Sequence, residues 1–306
     1  MRWHGPIAVL TEMRRNPGVT RAAVAQRLGL SSGSATEITA RLRELALVTE
    51  APAATTGRGR PTTVLRPHPE GPVVIAVDLR QEDWRCAVTP LDGRPEIVAA
   101  GAHASREPDH VIEAVRRAVE EIHDVHGMRV QAVGIAVAAT VQRGRVVQAA
   151  SLGWGPVDLG PLTAGVGVPM VVDNDATLAG VAEARGGAAA GAATALHITV
   201  EVGIGGTLVV DGRPLRGATG AGGEFGHLPL GDRGLRCPCG ALGCWDLTVD
   251  GRALARHLGD APPRDPRTYA RAVLARPDAA ARAAVDAAAA SLGAGVAGLV
   301  NALAPG

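Results

Sequence analysis

The sequence predicts an α/β protein in which a body of two lobes follows a small helical head. Strand, hairpin, helix and strand occur in this order from residue 73, and an opening strand and hairpin recur after residue 194, which indicates two lobes of similar construction. Before residue 70, three short helical segments precede two strands. The chain has 306 residues, 46% of them hydrophobic, and is long enough for two or three cores.

Charge is distributed unevenly along the chain. The net charge is +1, and residues 1–70 hold ten arginines and five glutamates, a net +5, which leaves −4 on the remainder. Every basic residue is arginine, since the chain contains no lysine. A basic head on a slightly acidic body indicates that the head binds a polyanion.

The chain shows no targeting signal. We find no apolar run long enough to cross a bilayer and no signal peptide at its start, so we expect a cytoplasmic protein without a membrane partner. Four cysteines, three of them closely spaced, fit a reducing compartment.

The spacing of apolar residues predicts three helices in the head. They cover residues 4–15, residues 21–28 after a cap at Thr20, and a stretch from a cap at Ser31 to about residue 46. Each helix is expected to bury one face. The residues on these faces are Ile7, Leu10 and Met13; Ala23, Val24 and Leu28; and Ala35, Ile38, Leu42 and Leu45.

The outer face of the third helix is small or polar. Two short helices joined by a tight turn, the second with such a face, are typical of the helix-turn-helix, whose second helix enters the major groove of DNA. We therefore expect Ser34, Thr36, Glu37 and Arg43 to contact double-stranded DNA. The alternative is an ordinary three-helix packing unit.

A candidate wing follows the third helix. Residues 47–49 and 63–65 can pair as two strands, and the turn between them contains TGRGRP. Its glycines let the backbone approach closely, while Arg58 and Arg60 can reach phosphates or a narrow minor groove. Residues 1–70 are thus predicted to form a winged helix-turn-helix domain. A flexible linker with stray arginines is the alternative interpretation of this turn.

A compact cysteine motif predicts a metal site. Cys237, Cys239 and Cys244 read C-x-C-G-x-x-G-C, and His227 lies ten residues before the first of them. Three thiolates and one imidazole are the tetrahedral set that a structural zinc ion takes. The alternatives are reduced bystanders, or a disulfide between Cys237 and Cys239 that would close a strained small loop. Cys86 lies in an apolar strand and is expected to be a buried free thiol.

These residues carry a family resemblance. The stretch GEFGH, followed by CPCGALGCWD, resembles the signature of the ROK family, which groups sugar-responsive repressors with sugar kinases. The G-R-P turn is similar to one in winged-helix repressors of that family. The resemblance implies a two-lobed actin-like (ribonuclease H-like) ATPase fold for residues 71–306, with lobes at about 73–194 and 195–306. The family continues beyond the point where this chain stops, so we expect a truncated second lobe.

The resemblance also implies a sugar site. The stretch VVDNDA resembles the family's E-N-D-A-N segment, and Asp175 would then be a vestigial general base; a helix cap is the alternative role. Asp246 stands where the family has glutamate, and Ser151 where it usually has asparagine. The sugar-binding residues implied in this way are Ser151, Asn174, Asp175, Glu224, His227 and Asp246.

Both phosphate-binding hairpins of the kinases are altered. The first, D-x-G-G-T in kinases, reads DLRQED at residues 78–83, and the second, G-T-G-x-G, reads EVGIG at residues 201–205. Lost glycines and added carboxylates make triphosphate binding unfavourable. We therefore expect no ATP and no catalytic residue.

The sequence thus predicts a transcriptional regulator of the ROK type, and we expect it to be a repressor. Its head binds operator DNA, its body senses a small carbohydrate, and zinc is its structural ion. We expect a homodimer or a dimer of dimers, because one head alone would bind DNA weakly. The alternatives are an ATP-dependent, glucokinase-like sugar kinase with an added head, and a DNA-binding protein whose body serves only as a ligand-silent dimerisation scaffold.

Overall fold

The computed structural model describes residues 3–53 and 63–305. The head consists of helices α1 (His4–Arg15), α2 (Arg21–Arg27) and α3 (Ser32–Glu44) and the antiparallel strands β1 (Val48–Pro52) and β2 (Thr63–Pro67). Both predicted helix caps are confirmed, since Thr20 Oγ1 accepts from Ala23 N and Ser31 Oγ accepts from Ser34 N. The wing arginines Arg58 and Arg60 lie outside the described residues.

The core of the head differs in two places from the predicted helix faces. Ile7 is 59% exposed and Leu45, which follows the end of α3, is 43% exposed, so both predictions were wrong. Thr39 is buried instead, and its hydroxyl donates to Ala35 O at 2.7 Å. Because that bond satisfies the hydroxyl within the helix, a threonine can occupy an apolar position. Leu91 of the body packs against the same core.

The first lobe is built on a five-stranded sheet in the order β5-β4-β3-β6-β9. The strands are β3 (Val73–Leu79), β4 (Asp83–Thr89), β5 (Glu96–Ala102), β6 (Val130–Val137) and β9 (Met170–Asn174), and a separate hairpin is formed by β7 (Thr140–Gln142) and β8 (Arg145–Gln148). Helix α4 (Pro108–His126) packs its apolar face against this sheet. Because β3, β6 and β9 are parallel, their carboxyl ends meet at one edge, where the site lies.

Helix α5 connects the first sheet to the second lobe. Helix α5 (Asp175–Gly186) starts directly after β9 and packs on the second sheet, which consists of β10 (Thr194–Glu201), β11 (Gly203–Val210) and β12 (Arg213–Pro214). Helices α6 (Gly251–Leu258), α7 (Pro266–Leu274) and α8 (Ala279–Leu303) follow. Asp211 and Gly212 form the turn between β11 and β12.

Helix α8 corrects one expectation from the sequence. By length and composition it is long and apolar enough to cross a membrane, contrary to the expectation that no stretch of the chain is. Helix α8 packs against α6 and α7 through a row of small residues, and 22% of its most apolar window is buried within the described residues. At Gly295 its backbone lies so close to the Trp245 ring that a Cβ there would overlap the ring.

Candidate functional site

A cavity of about 200 Å³ lies where the carboxyl edge of the first sheet faces the second lobe. The turn between β3 and β4 and the turn between β10 and β11 both line it. The structure also brings to it every residue that the sequence analysis assigned to sugar binding: Ser151, Asn174, Asp175, Glu224, His227 and Asp246. These residues come from distant parts of the chain and both lobes.

Asn174 has the helix-capping role that was considered for Asp175. Its Oδ1 accepts from Thr177 N at 2.9 Å, which caps α5, and its Nδ2 donates to Ala139 O at 3.1 Å. The side chain is therefore held in place at the cavity wall. Ser151, also at this wall, donates its hydroxyl to Ala138 O at 3.3 Å.

Asp175 is a partly buried acid at the start of α5. Its Oδ1 accepts from Ala176 N at 2.8 Å, and no hydrogen bond from the described residues reaches its Oδ2. Burial raises the pKa of Asp175 to about 6, and the nearby negative charges of Asp78 and Glu201 add to this effect. A carboxylate with a raised pKa and a free oxygen can accept a proton from a ligand hydroxyl.

Glu224 lies between the first lobe and His227, one of the predicted metal ligands. Its Oε1 accepts from Thr140 Oγ1 of the first lobe at 2.8 Å, and its Oε2 lies 3.8 Å from His227 Nε2. The carboxylate thus lies beside the ring nitrogen of His227 that faces away from Cys237, the position from which a carboxylate can orient a metal-binding histidine. Sequence reasoning missed Thr140, which lies far from the glycine-rich motif in the chain.

The predicted metal ligands form one cluster. Ligand atoms of His227, Cys237, Cys239 and Cys244 all lie within 4.8 Å of one another. Cys239 Sγ is 3.6 Å from Cys244 Sγ, and Cys237 Sγ is 3.8 Å from His227 Nδ1. Tetrahedral zinc with Zn–S bonds of roughly 2.3 Å requires similar spacings between its ligands.

The state of the thiols is consistent with that donor set. All four cysteines are free, so the disulfide alternative is not found. Burial raises the pKa of Cys244 to about 12 and also raises that of Cys237. A cation is therefore needed to hold these groups as thiolates. Cys86 is fully buried, as predicted, and burial raises its pKa to about 12.

Asp246 closely follows the segment of the predicted metal ligands, residues 227–244, and contacts the turn between β10 and β11. Its Oδ1 accepts from Ile204 N at 2.6 Å, and its Oδ2 lies 3.7 Å from His227 Nδ1. A Cβ added at Gly203 or at Gly226 would overlap this carboxylate, so the backbone of both glycines packs directly against it. The shorter side chain thus bonds to the hairpin while it still lines the cavity.

Ion pairs occupy the two altered hairpins. Arg80 Nε lies 2.6 Å from Asp78 Oδ2. Arg267, in the first turn of α7, lies 3.6 Å from both Asp83 Oδ2 and Glu201 Oε2, and so it bridges the hairpins of the two lobes. Sequence reasoning missed this contact. The Asp265-Pro266 pair, a typical helix start, was the available signal for α7.

The residues of α3 that are predicted to contact DNA lie outside the buried face of the helix. Ser34, Thr36, Glu37 and Arg43 are all solvent-exposed. Arg43 also lies 3.7 Å from Glu50 on β1, so its guanidinium has an internal partner in the unbound protein.

This fold and site define a class of protein, a sugar-kinase-like body joined to a DNA-binding head. Comparison with known families gives the same result: residues 74–306 match the ROK family, and residues 7–45 match the winged helix-turn-helix DNA-binding family. The chain belongs to the ROK family.

Relatives include both enzymes and regulators. The chain is 37% identical to a glucokinase of Streptomyces coelicolor over 153 residues, 49% of this chain and 48% of that protein. It is 23% identical to the xylose repressor of Bacillus subtilis over 257 residues, 82% of this chain and 66% of that protein. The chain thus spans about half the length of the glucokinase and about two thirds of the repressor.

Two solved structures extend the comparison. A ROK family transcriptional regulator, described as a homologue of the E. coli MLC protein, has a TM-score of 0.70 at 24% identity and covers 98% of this chain and 80% of its own. A ROK glucokinase from Streptomyces griseus, in complex with glucose and AMPPNP, has a TM-score of 0.67 at 28% identity and covers 76% of this chain and 80% of its own. The first shows that the fold, head included, has a precedent.

Proposed function

We propose that this protein is a cytoplasmic transcriptional regulator whose head binds operator DNA and whose body senses a small sugar. The observation that carries the proposal is the cavity, which gathers the six side chains that the family resemblance assigns to sugar binding, while ion pairs lie in the hairpins that correspond to the phosphate-binding hairpins of kinases. Zinc, held by His227, Cys237, Cys239 and Cys244, would fix the segment that carries Glu224.

The cavity size supports a sensor over an enzyme. About 200 Å³ is below the roughly 300–1,000 Å³ typical of drug-sized ligand pockets. A monosaccharide is therefore a better match than a sugar together with a nucleotide. The carboxylates of Asp83 and Glu201 would also repel a triphosphate.

The junction between head and body suggests how a sugar alters DNA binding. Arg15 Nε donates to Arg185 O at 3.3 Å, near the end of α5, which packs on the second sheet. Leu91, in the turn after β4 of the first lobe, packs against the core of the head. The head thus contacts an element associated with each lobe, and closure of the lobes around a sugar would move it. In a dimer, that movement would change the separation of two heads on a palindromic operator.

Operator binding measured with and without sugar tests this proposal. Deletion of residues 1–70 should abolish specific DNA binding. Arg15→Ala should preserve both DNA affinity and sugar affinity but reduce the effect of sugar on DNA affinity. Arg27→Ala, a head arginine whose ionic partner is Glu12, is the matched control and should behave as wild type. Operator affinity that survives the deletion would contradict the assignment of the head, and unchanged coupling in Arg15→Ala would contradict the proposed route.

The second candidate function is that of an ATP-dependent sugar kinase. The 37% identity to a glucokinase favours it. A coupled assay with common hexoses and ATP separates the two candidates, and we expect no turnover above background. Titration calorimetry with the same hexoses tests the third candidate, a ligand-silent scaffold, for which no sugar would bind.

A further inference from the structure

The residues that line the cavity indicate which sugars it accepts. The inference below rests on the proposed function. We propose that the effector is a monosaccharide whose hydroxyl at Asp175 is free and not phosphorylated. We further propose that Asp83 and Glu201 determine this specificity because their carboxylates pair with the guanidinium of Arg267, which could otherwise bind a phosphate.

A phosphate on that hydroxyl would enter the region of the two hairpins. Ser151, Glu224 and His227 line the part of the cavity assigned to the sugar ring, and Asp175 shares the cavity with the turns that follow β3 and β10. Glu201, the last residue of β10, lines the same cavity as Asp175. A substituent that extends from the sugar past Asp175 therefore meets the hairpin turns.

The cations in that region are already paired. Among the described residues, Arg80 and Arg267 are the only arginines that line the cavity. Arg80 is held by Asp78 at 2.6 Å, and Arg267 lies between Asp83 and Glu201 at 3.6 Å from each. A phosphate would have to displace these carboxylates and remain beside them, which costs free energy through like-charge repulsion.

The remainder of the cavity favours hydrogen-bond donors. Asp175, Glu224 and Asp246 have no arginine within 4.0 Å in the described part of the chain. Carboxylates accept hydrogen bonds from hydroxyl groups and equally from an ammonium group. Neutral and amino monosaccharides are therefore favoured, and phosphorylated ones are rejected.

The test is titration calorimetry on the full chain with glucose, xylose, N-acetylmannosamine and glucosamine, and with the 6-phosphates of the hexoses. We expect wild type to bind at least one unphosphorylated sugar at least tenfold more tightly than its phosphate. The double variant Asp83→Asn, Glu201→Gln keeps the side-chain shapes and releases Arg267. This double variant should reduce the ratio between the affinities for the sugar and for its phosphate at least tenfold. It should also make phosphosugar binding salt-dependent.

Two further variants make the result decisive. Glu113→Gln removes one negative charge from the surface of α4 and should leave the difference unchanged. Glu201 is 53% exposed, so Glu201→Gln alone should fold and should narrow the difference in part. Wild type that binds a phosphosugar as tightly as the parent sugar overturns this inference and leaves sugar sensing intact. Variants that leave the difference unchanged overturn the role of Asp83 and Glu201. Binding of no sugar in the panel contradicts sugar sensing itself, and the inference with it.

Discussion

Asp175 should reduce the stability of this protein at neutral pH, and Asp175→Asn should restore it. The carboxyl is partly buried at the start of α5, and its desolvation there raises its pKa from 3.8 to about 6. A raised pKa means that the protonated acid favours the folded state, so this stability is complete below pH 4 and is lost as the pH rises through 6. Asparagine resembles the protonated acid and can still accept the hydrogen bond from Ala176 N.

The magnitude follows from the two pKa values. At about 1.36 kcal/mol per pKa unit, ionised Asp175 costs about 3 kcal/mol of folding free energy at pH 7.5. At pH 5 the folded protein is largely protonated at this site, and the cost falls to about 1.6 kcal/mol. The stability difference between variant and wild type should therefore grow by about 1.4 kcal/mol from pH 5 to pH 7.5, a factor of about ten in the unfolding equilibrium.

Urea unfolding from pH 5 to pH 8, followed by tryptophan fluorescence, measures this difference. Any loss of metal at low pH affects both proteins and cancels when they are compared. Asp124→Asn, at an exposed acid on α4, is the control, and its difference from wild type should not vary over this range. A difference for Asp175→Asn that is independent of pH would refute the assignment of a buried, ionised acid. The same variant should bind sugar more weakly, because it lacks the charge that accepts a hydroxyl proton.

Three further predictions concern the metal, α8 and DNA. Metal analysis should find about one zinc per chain, and Cys239→Ser should lower both the zinc content and the melting temperature; a metal-free protein that is fully folded would exclude the site. Gly295→Ala should destabilise by about 1–3 kcal/mol through overlap with a tryptophan ring, whereas Gly298→Ala, which faces open space, should stabilise by up to about 1 kcal/mol; equal effects in thermal unfolding would contradict this packing. Arg58→Ala should weaken binding to all DNA sequences and lower the salt slope by about one, whereas Thr36→Ala should change which operator is preferred, with about 1–3 kcal/mol at stake; the reverse pattern in salt-dependent titrations would contradict the proposed groove assignment.

Local signals in the sequence predicted most of the elements and the metal cluster. Helix caps such as Ser31 and the motif around Cys239 were recognisable because each depends on residues close together in the chain. Tertiary contacts decided the rest. Leu45 matches the helical spacing of α3 but lies beyond its last turn, so the other elements of the head do not cover its side chain.

The ion pairs at the hairpins could not be predicted from the sequence. Arg267 meets Asp83 and Glu201 only after three segments, more than sixty residues apart, come together. Each side chain alone reads as an ordinary surface charge. The altered hairpin sequences predict weak triphosphate binding, but they give no sign of the arginine that pairs with their carboxylates.

The contact of Leu91 with the core of the head restricts which heads can be joined to this body. Arg129 donates to the carbonyls of Pro69 and Gly71 and holds the connecting segment against the body. A graft that joins a foreign head at residue 70 would therefore set an unmatched surface against Leu91. Chimaeras should be more stable and better coupled when the turn after β4 is exchanged together with the head. Recombination between proteins that share this head and body would face the same constraint, so head and turn should be inherited as a unit.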